Sequence, residues 1–356
     1  MAIQTSIKLT IPAAFFGYAL FANYTLLVGD VDTPDLQGFM KGEFASEVDD
    51  LYRANLPHRD VAVSWVGAAR YALLNEGRDG VVVGEDGWLF SAEEFRPVDD
   101  MAVPLAWITQ VDAELAALGS ELIIVPLPAK LEIDRAKFAM AAPADQMAET
   151  YDAFLAALDA QGTRFIDTRP ALMSIAQPFL ATDTHWTTQG AAAVADAIAA
   201  SDPDLWGDTS FSRVTGETES FTGDLVTFVT SDNLAPVVGL NAETITAYTV
   251  KAEDIAGAGG LDLFGTDSPT EVALVGTSYS ANPRWSFDAA LKLALRRDVI
   301  NHAEEGQGPI APMHAFLKRL DPVAPPPVVI WEFPVRYLGD PDLMKAVDAA
   351  EEGGNA

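Results

Sequence analysis

The sequence predicts an α/β fold, a mostly parallel sheet with helices on both of its faces. Three observations carry that expectation. Four short runs, "LIIVP" (Leu122–Pro126), "RFID" (Arg164–Asp167), "EVALVG" (Glu271–Gly276) and "PVVIWEF" (Pro327–Phe333), read as buried strands. Between them lie apolar stripes at helical spacing: Trp107, Ile108, Val111, Leu115 and Leu118, then Met147, Tyr151, Phe154, Leu155 and Leu158. Gly119 and Gly162 close those stripes, as glycine commonly closes helices.

Taken in order, the chain begins with "LTIPAAFFGYALFANYTLLVG", which carries no charge from Leu9 to Gly29. About 20 apolar residues span a bilayer core as a helix. Lys8 on one side, with Asp30 and Asp32 on the other, favours an inside N-terminus. A cleaved signal peptide is the alternative, but the apolar stretch outruns a typical signal core, so a retained anchor is expected. That reading makes 1–30 the anchor and 31–356 an exported domain, periplasmic and tethered to the inner membrane by residues 9–29. Phe44, Val48, Leu51 and Tyr52 share one helical face, and "NEGRDGVVVGEDGWLF" (Asn75–Phe90) reads as a β-hairpin with an Asp-Gly turn. Helices are expected over Gln189–Ala200 and Phe287–Leu295. Residues 209–261 are the least regular and read as a loop-rich insertion with β character around "LNAETITAYTV". No internal repeat is visible.

Composition removes several function classes. With 356 residues and 49% hydrophobic content, the chain can bury a sizeable core. Cysteine is absent, so disulfides, thiolate nucleophiles and thiolate metal sites are excluded. The 52 acidic against 22 basic residues give a net charge of −30, which repels nucleic acid and anionic lipid.

Two stretches carry chemistry. "ATDTHWTTQG" (Ala181–Gly190) sets Asp183 two residues before His185, one of only four histidines. In a loop, that spacing lets the carboxylate accept a hydrogen bond from Nδ1–H, which fixes the tautomer and leaves Nε2 free as a base. The plainer reading is a polar loop capping the next helix, with Thr187 or Thr188 as N-cap. The second stretch is "GTSYS" (Gly276–Ser280), directly after the strand "EVALVG". A serine on the turn leaving a buried strand, behind a glycine that permits a sharp bend, sits where a nucleophile elbow would lie. A serine needs a base, and the two stretches supply each other's missing part.

These stretches, with "GEDGWLF" (Gly84–Phe90), "VPLPAK" (Val125–Lys130) and "WEFPVRYL" (Trp331–Leu338), resemble in order the motifs of the alginate O-acetyltransferase family of AlgJ and AlgX. "LLNEGRDGVVVGEDGWLFSAEEFRPV" looks most like the AlgJ branch, and the resemblance runs from Phe44 to Leu338. It implies an SGNH-hydrolase-like α/β/α sandwich, with the acid and base preceding the serine in a permuted order. It further implies a Ser–His–Asp triad of Ser278, His185 and Asp183, and transfer of acetyl groups to a polysaccharide such as the polyuronate alginate. A multispanning membrane acyltransferase would supply the acetyl groups. Water in place of a sugar hydroxyl would make the chain a carbohydrate acetylesterase, and a non-catalytic scaffold or sugar-binding subunit is a further alternative. The short stretch after Leu338 has no room for the carbohydrate-binding module of AlgX, which favours an AlgJ-like role.

Possible substrate contacts are fewer and less specific. Trp88 and Phe90 could stack on a sugar ring or simply fill a core. Lys130 and Arg336, each after a strand, could meet a uronate carboxylate or form structural contacts. Tyr279 lies beside the nucleophile and could touch substrate. No cofactor is expected, and no metal, since Asp183 and His185 alone do not complete a coordination sphere.

Overall fold

Strands that read as continuous apolar runs need both faces covered, and the fold supplies that cover. The computed structural model describes residues 2–28, 43–98, 100–253, 271–341 and 343. Two compact units divide within α3, Met1–Ala69 and Arg70–Ala356. The first contains α1 (Ala2–Val28), α2 (Glu43–Asn55) and most of α3 (Arg59–Leu74). The expected α2 face is present: Phe44, Val48, Leu51 and Tyr52 are half-buried between exposed neighbours. Among the described residues no helix is long and apolar enough to cross a membrane. The expected anchor over 9–29 falls partly outside those residues.

The second unit contains, in chain order, the hairpin β1 (Val81–Val83) and β2 (Leu89–Ser91), then α4 (Ala102–Ala117) and β3 (Glu121–Leu127). Next come α5 (Lys130–Ile133), α6 (Ala141–Gln161), α7 (Arg169–Met173) and α8 (Thr188–Ser201). A second hairpin, β4 (Phe211–Phe221) with β5 (Glu243–Ala252), precedes β6 (Val272–Val275), α9 (Ser278–Ala281) and α10 (Phe287–Leu295). The chain continues through β7 (Val299–Asn301), α11 (Ile310–Arg319) and β8 (Val328–Pro334).

Four of these strands form one parallel sheet in the order β3-β8-β6-β7. The two-residue period of a strand sorts their side chains into two cores. Ile123, Val125, Val272, Leu274, Val328 and Ile330 pack with α8 and α10 through Val194, Ile198, Phe287 and Leu291. Their sequence neighbours Leu122, Ile124, Ala273, Val275, Val329 and Trp331 face α4, α6 and α11 through Trp107, Val111, Phe154 and Phe316. Each fully buried Val, Leu, Ile or Phe contributes about 1.5–3 kcal/mol, so both faces hold the sheet. The arrangement is the expected α/β/α sandwich, and it puts Lys130, Ser278 and Arg336 just past the C-terminal ends of β3, β6 and β8.

The "RFID" strand shrinks to a single parallel bridge, Ile124 to Phe165. Ile124 N–H donates to Arg164 O at 2.9 Å and Ile166 N–H to Ile124 O at 3.0 Å. The next position along β3 is Pro126, which has no N–H to continue the ladder. The N-terminal hairpin forms as expected, with Val82 opposite Phe90. Its turn puts Asp86 at φ 54° and Gly87 at φ 79°, the paired left-handed residues that a tight hairpin turn requires. Within 209–261, β4 and β5 pair antiparallel, while 254–261 lies outside the described residues.

Candidate active site

The nucleophile turn is fixed from the sheet beneath it. β6 is followed by Gly276, where a Cβ would lie 2.6 Å from Glu332 Oε2 and 2.9 Å from Glu332 O. Only glycine allows β8 to pass that close. The Glu332 carboxylate, fully buried on β8, accepts Thr277 N–H at 3.1 Å, Thr277 Oγ1–H at 3.0 Å and Ser280 Oγ–H at 2.7 Å. Burial pushes its pKa up, and these three donors pull against that shift. Above the turn, three successive carbonyls are each held by a side-chain N–H. Trp285 Nε1 donates to Ser278 O at 3.1 Å, Trp186 Nε1 to Tyr279 O at 3.2 Å, and Asn301 Nδ2 to Ser280 O at 2.7 Å.

The base sits on a loop before α8. Leu180 N–H donates to His185 O at 3.0 Å and Thr187 N–H to Pro178 O at 2.8 Å, which folds 178–187 back on itself. Thr187 then caps α8 by accepting Gly190 N–H at 3.1 Å. The loop therefore does both jobs that its sequence allowed, capping the helix and presenting the histidine.

His185 Nε2 lies 2.8 Å from Ser278 Oγ, and His185 Nδ1 lies 2.7 Å from Asp183 Oδ1. Asp183 Oδ1 also accepts His185 N–H at 2.9 Å, and Oδ2 accepts Asp224 N–H at 3.0 Å. Burial alone would raise the Asp183 pKa. The hydrogen bond and charge of His185, with the two backbone N–H donors, outweigh it and hold the carboxylate below its ordinary range. An ionised Asp183 keeps the proton on Nδ1 and leaves the Nε2 lone pair for the Ser278 hydroxyl. The imidazole is packed between the Trp285 ring, stacked at 4.8 Å and 19°, and the Tyr279 ring, also at 4.8 Å.

Sequence reading missed the support around this relay. The Asp224 carboxylate accepts Thr184 N–H at 2.8 Å and the Thr184 hydroxyl, and stands 3.8 Å from His185 Nδ1. Glu243 accepts Thr182 N–H at 2.6 Å and Thr182 Oγ1–H at 2.8 Å. Asp224 and Glu243 lie in the irregular insertion, where no period marks them. Glu332 did leave a signal, a carboxylate inside an apolar strand. Asp183, His185 and Asp224 bring donor atoms within 4.8 Å of one another. Those carboxylates already accept N–H and O–H groups, which a cation would have to displace.

The four other candidates are buried, and the contacts they make here are the structural ones that their sequence reading also allowed. Lys130, 1% exposed, gives its ammonium to Leu89 O, Ala181 O and Asp183 O. Arg336 donates through Nε to Glu93 Oε2 and through Nη1 to the Tyr279 hydroxyl, both at 2.9 Å. The Tyr279 hydroxyl in turn donates to Thr184 O, next to His185. Burial raises the Tyr279 pKa, so the phenol keeps its proton. Trp88 stacks with Phe90 in a small core with Leu131 and Ala144.

The family model for the SGNH hydrolase-like domain of the acetyltransferase AlgX matches residues 81–335, which include the sheet and all three relay residues. The chain belongs to this AlgX-type SGNH hydrolase-like family. Among its relatives, the probable alginate O-acetylase AlgJ of Pseudomonas aeruginosa is 37% identical over 89% of this chain and 84% of its own length. The AlgJ protein of Azotobacter vinelandii is 34% identical over 86% of this chain and 82% of its own. The solved O-acetyltransferase domain of Pseudomonas putida AlgJ superposes with a TM-score of 0.64 at 36% identity, covering 75% of this chain and 98% of that domain. The Pseudomonas aeruginosa AlgX structure, at 23% identity and a TM-score of 0.59, shares the fold.

Proposed function

We propose that this chain is an exported O-acetyltransferase that moves acetyl groups onto hydroxyls of an alginate-type polyuronate through an acetyl-Ser278 intermediate. The observation that carries the reading is the hydrogen-bonded series Ser278–His185–Asp183 in a chain of this family. Support for the substrate comes from relatives named as probable alginate O-acetylases.

In the first half-reaction Ser278 Oγ attacks the acetyl carbonyl of the donor while His185 Nε2 takes the hydroxyl proton. The imidazolium, steadied by Asp183, passes that proton to the departing donor oxygen. Ser278 is the first residue of α9, so its N–H has no acceptor within the helix and is available to the developing oxyanion. In the second half-reaction His185 removes a proton from a sugar hydroxyl, whose oxygen attacks the acetyl carbonyl; the imidazolium returns that proton to Ser278 Oγ as the acyl–serine bond breaks. Water in place of the sugar gives esterase turnover, and exclusion of water decides between the two.

The net charge of −30 opposes a polyanionic acceptor at long range. At physiological salt the screening length is about 8 Å, so the repulsion is confined to close approach. Handing acetyl between partners in an alginate-modifying complex, without gripping the polymer, removes the conflict further. We assign the donor side to a multispanning membrane acyltransferase and the tether to residues 9–29, where Phe15, Leu20, Phe21 and Tyr24 are exposed on α1. Replacing Ser278 with Ala should abolish hydrolysis of a chromogenic acetyl ester without changing the circular dichroism spectrum. Retained hydrolysis would remove Ser278 as nucleophile.

A further inference from the structure

Lys130 enters α5 directly from the end of β3 and is 1% exposed. Its Nζ donates to Leu89 O at 2.6 Å, Ala181 O at 3.0 Å and Asp183 O at 2.9 Å. An ammonium has three protons, and each one has an acceptor here. One acceptor belongs to β2 and two to the loop that carries Asp183 and His185. Leu89 N–H also reaches Ala181 O at 2.9 Å, so the same hairpin strand and loop are tied twice. The rings of Trp88 and Phe90 lie 5.1 and 5.3 Å from the ammonium and shield it from water.

We propose that protonated Lys130 is a positioning residue for the triad and that losing its proton disarms the site, an alkaline limit built into the base loop. This rests on the triad being the working site. The neutral amine keeps two donors and gains a lone pair, so one of three buried carbonyls loses its partner and faces that lone pair. The Asp183 carbonyl is one of the three. Moving it moves the carboxylate that holds both N–H groups of His185.

The charged groups around Lys130 set where this happens. Burial pulls its pKa down, against the attraction of Glu94, Asp134, Asp183 and Glu243, to about 8. Lys137 puts a further cation 5.8 Å from the Trp88 ring. Above about 8 the folded chain gives up this proton, whereas the unfolded chain holds it to the ordinary lysine value of 10.5. The unfolded state then binds more protons, so this group makes folding more favourable as pH rises through that window. Activity and stability should therefore move in opposite directions, which alkaline unfolding cannot produce.

The test follows the rate of Ser278 phosphonylation by a fluorophosphonate, in which Oγ bonds to phosphorus and fluoride leaves, from about pH 7 to 9.5, with the melting temperature measured in the same buffers. The wild-type rate should fall by about tenfold per pH unit above about 8 while the melting temperature holds or rises up to about pH 9. Lys130→Arg keeps its charge but cannot fit three converging carbonyls. It should be slower by at least about tenfold at neutral pH and flat across the alkaline range. A wild-type rate flat to about pH 9.5, or the same alkaline fall in Lys130→Arg, overturns the proposal. If Lys130→Arg does not fold, the wild type decides: a fall in rate with a steady or rising melting temperature supports it, and a fall matched by melting overturns it. No labelling of Ser278 at any pH would refute the triad itself, whereas labelling without the alkaline fall removes only the role of Lys130.

Discussion

The turn that carries Ser278 and the loop that carries His185 meet at 2.8 Å, yet they are held by different parts of the fold. Glu332, on the strand next to β6, clamps the serine turn through three hydrogen bonds. Side chains from three segments outside that sheet hold the histidine loop: Lys130 after β3, Asp224 after Gly223, and Glu243 at the start of β5. The serine side is therefore as rigid as the sheet, and the histidine side is as rigid as those three segments tied to its loop. A site built this way fails first on the base side, where the ties come from outside the sheet.

Variants that break one side alone sharpen that difference. The largest expected effect is Asp183→Asn, which keeps the size but loses the anion that selects the imidazole tautomer. Acetyl-ester turnover should fall by a factor on the order of 10⁴, the loss known for this change in a serine-protease triad, with little change in melting temperature. Activity within about tenfold of wild type would make the Asp183 contact structural only. Next is Gly223→Ala. A Cβ there would lie 2.3 Å from Thr182 O, so the base loop must shift while the serine turn stays in place. Turnover should drop by about 10², the usual cost of misplacing a catalytic group by about 1 Å.

Glu332→Ala breaks the other side. It leaves Thr277 N–H and two hydroxyls without their buried acceptor, which should cost about 3 kcal/mol of stability in denaturant unfolding. Here stability and activity should fall together, unlike in the base-side variants, and an unchanged midpoint would show that the clamp is dispensable. The smallest effect belongs to Trp285→Phe, which preserves a ring against His185 but removes the N–H to Ser278 O. About 1 kcal/mol of stability and a few-fold in turnover should be lost, as for one neutral hydrogen bond.

The same division explains what could be read from the sequence. The sheet was legible because Leu122–Pro126, Val272–Gly276 and Pro327–Phe333 are apolar at every position but Glu332, as strands buried on both faces nearly must be. The relay was legible because Asp183 and His185 are two residues apart and Ser278 follows a strand and a glycine. β7 was not, since Val299–Asn301 is only three residues long and two of its side chains are exposed. Arg164–Asp167 read as a strand, but its ladder depends on a partner's N–H, and Pro126 lacks one. Asp224 and Glu243 act across 40 and 61 residues of sequence and carry no periodic mark, so only the folded chain reveals them. Lys130 and Arg336 were visible as charges after strands, but whether such a charge faces solvent or is sealed inside is decided by packing from distant segments.

The central claim is that acetyl transfer passes through Ser278. The most direct measurement is peptide mass spectrometry of the protein acid-quenched during turnover of an activated acetyl ester. The account predicts one acetyl group on the peptide containing Ser278 in the wild type, and none at that position in Ser278→Ala. Turnover with no acetyl on Ser278, or an acetyl group on another residue that persists in Ser278→Ala, would contradict it.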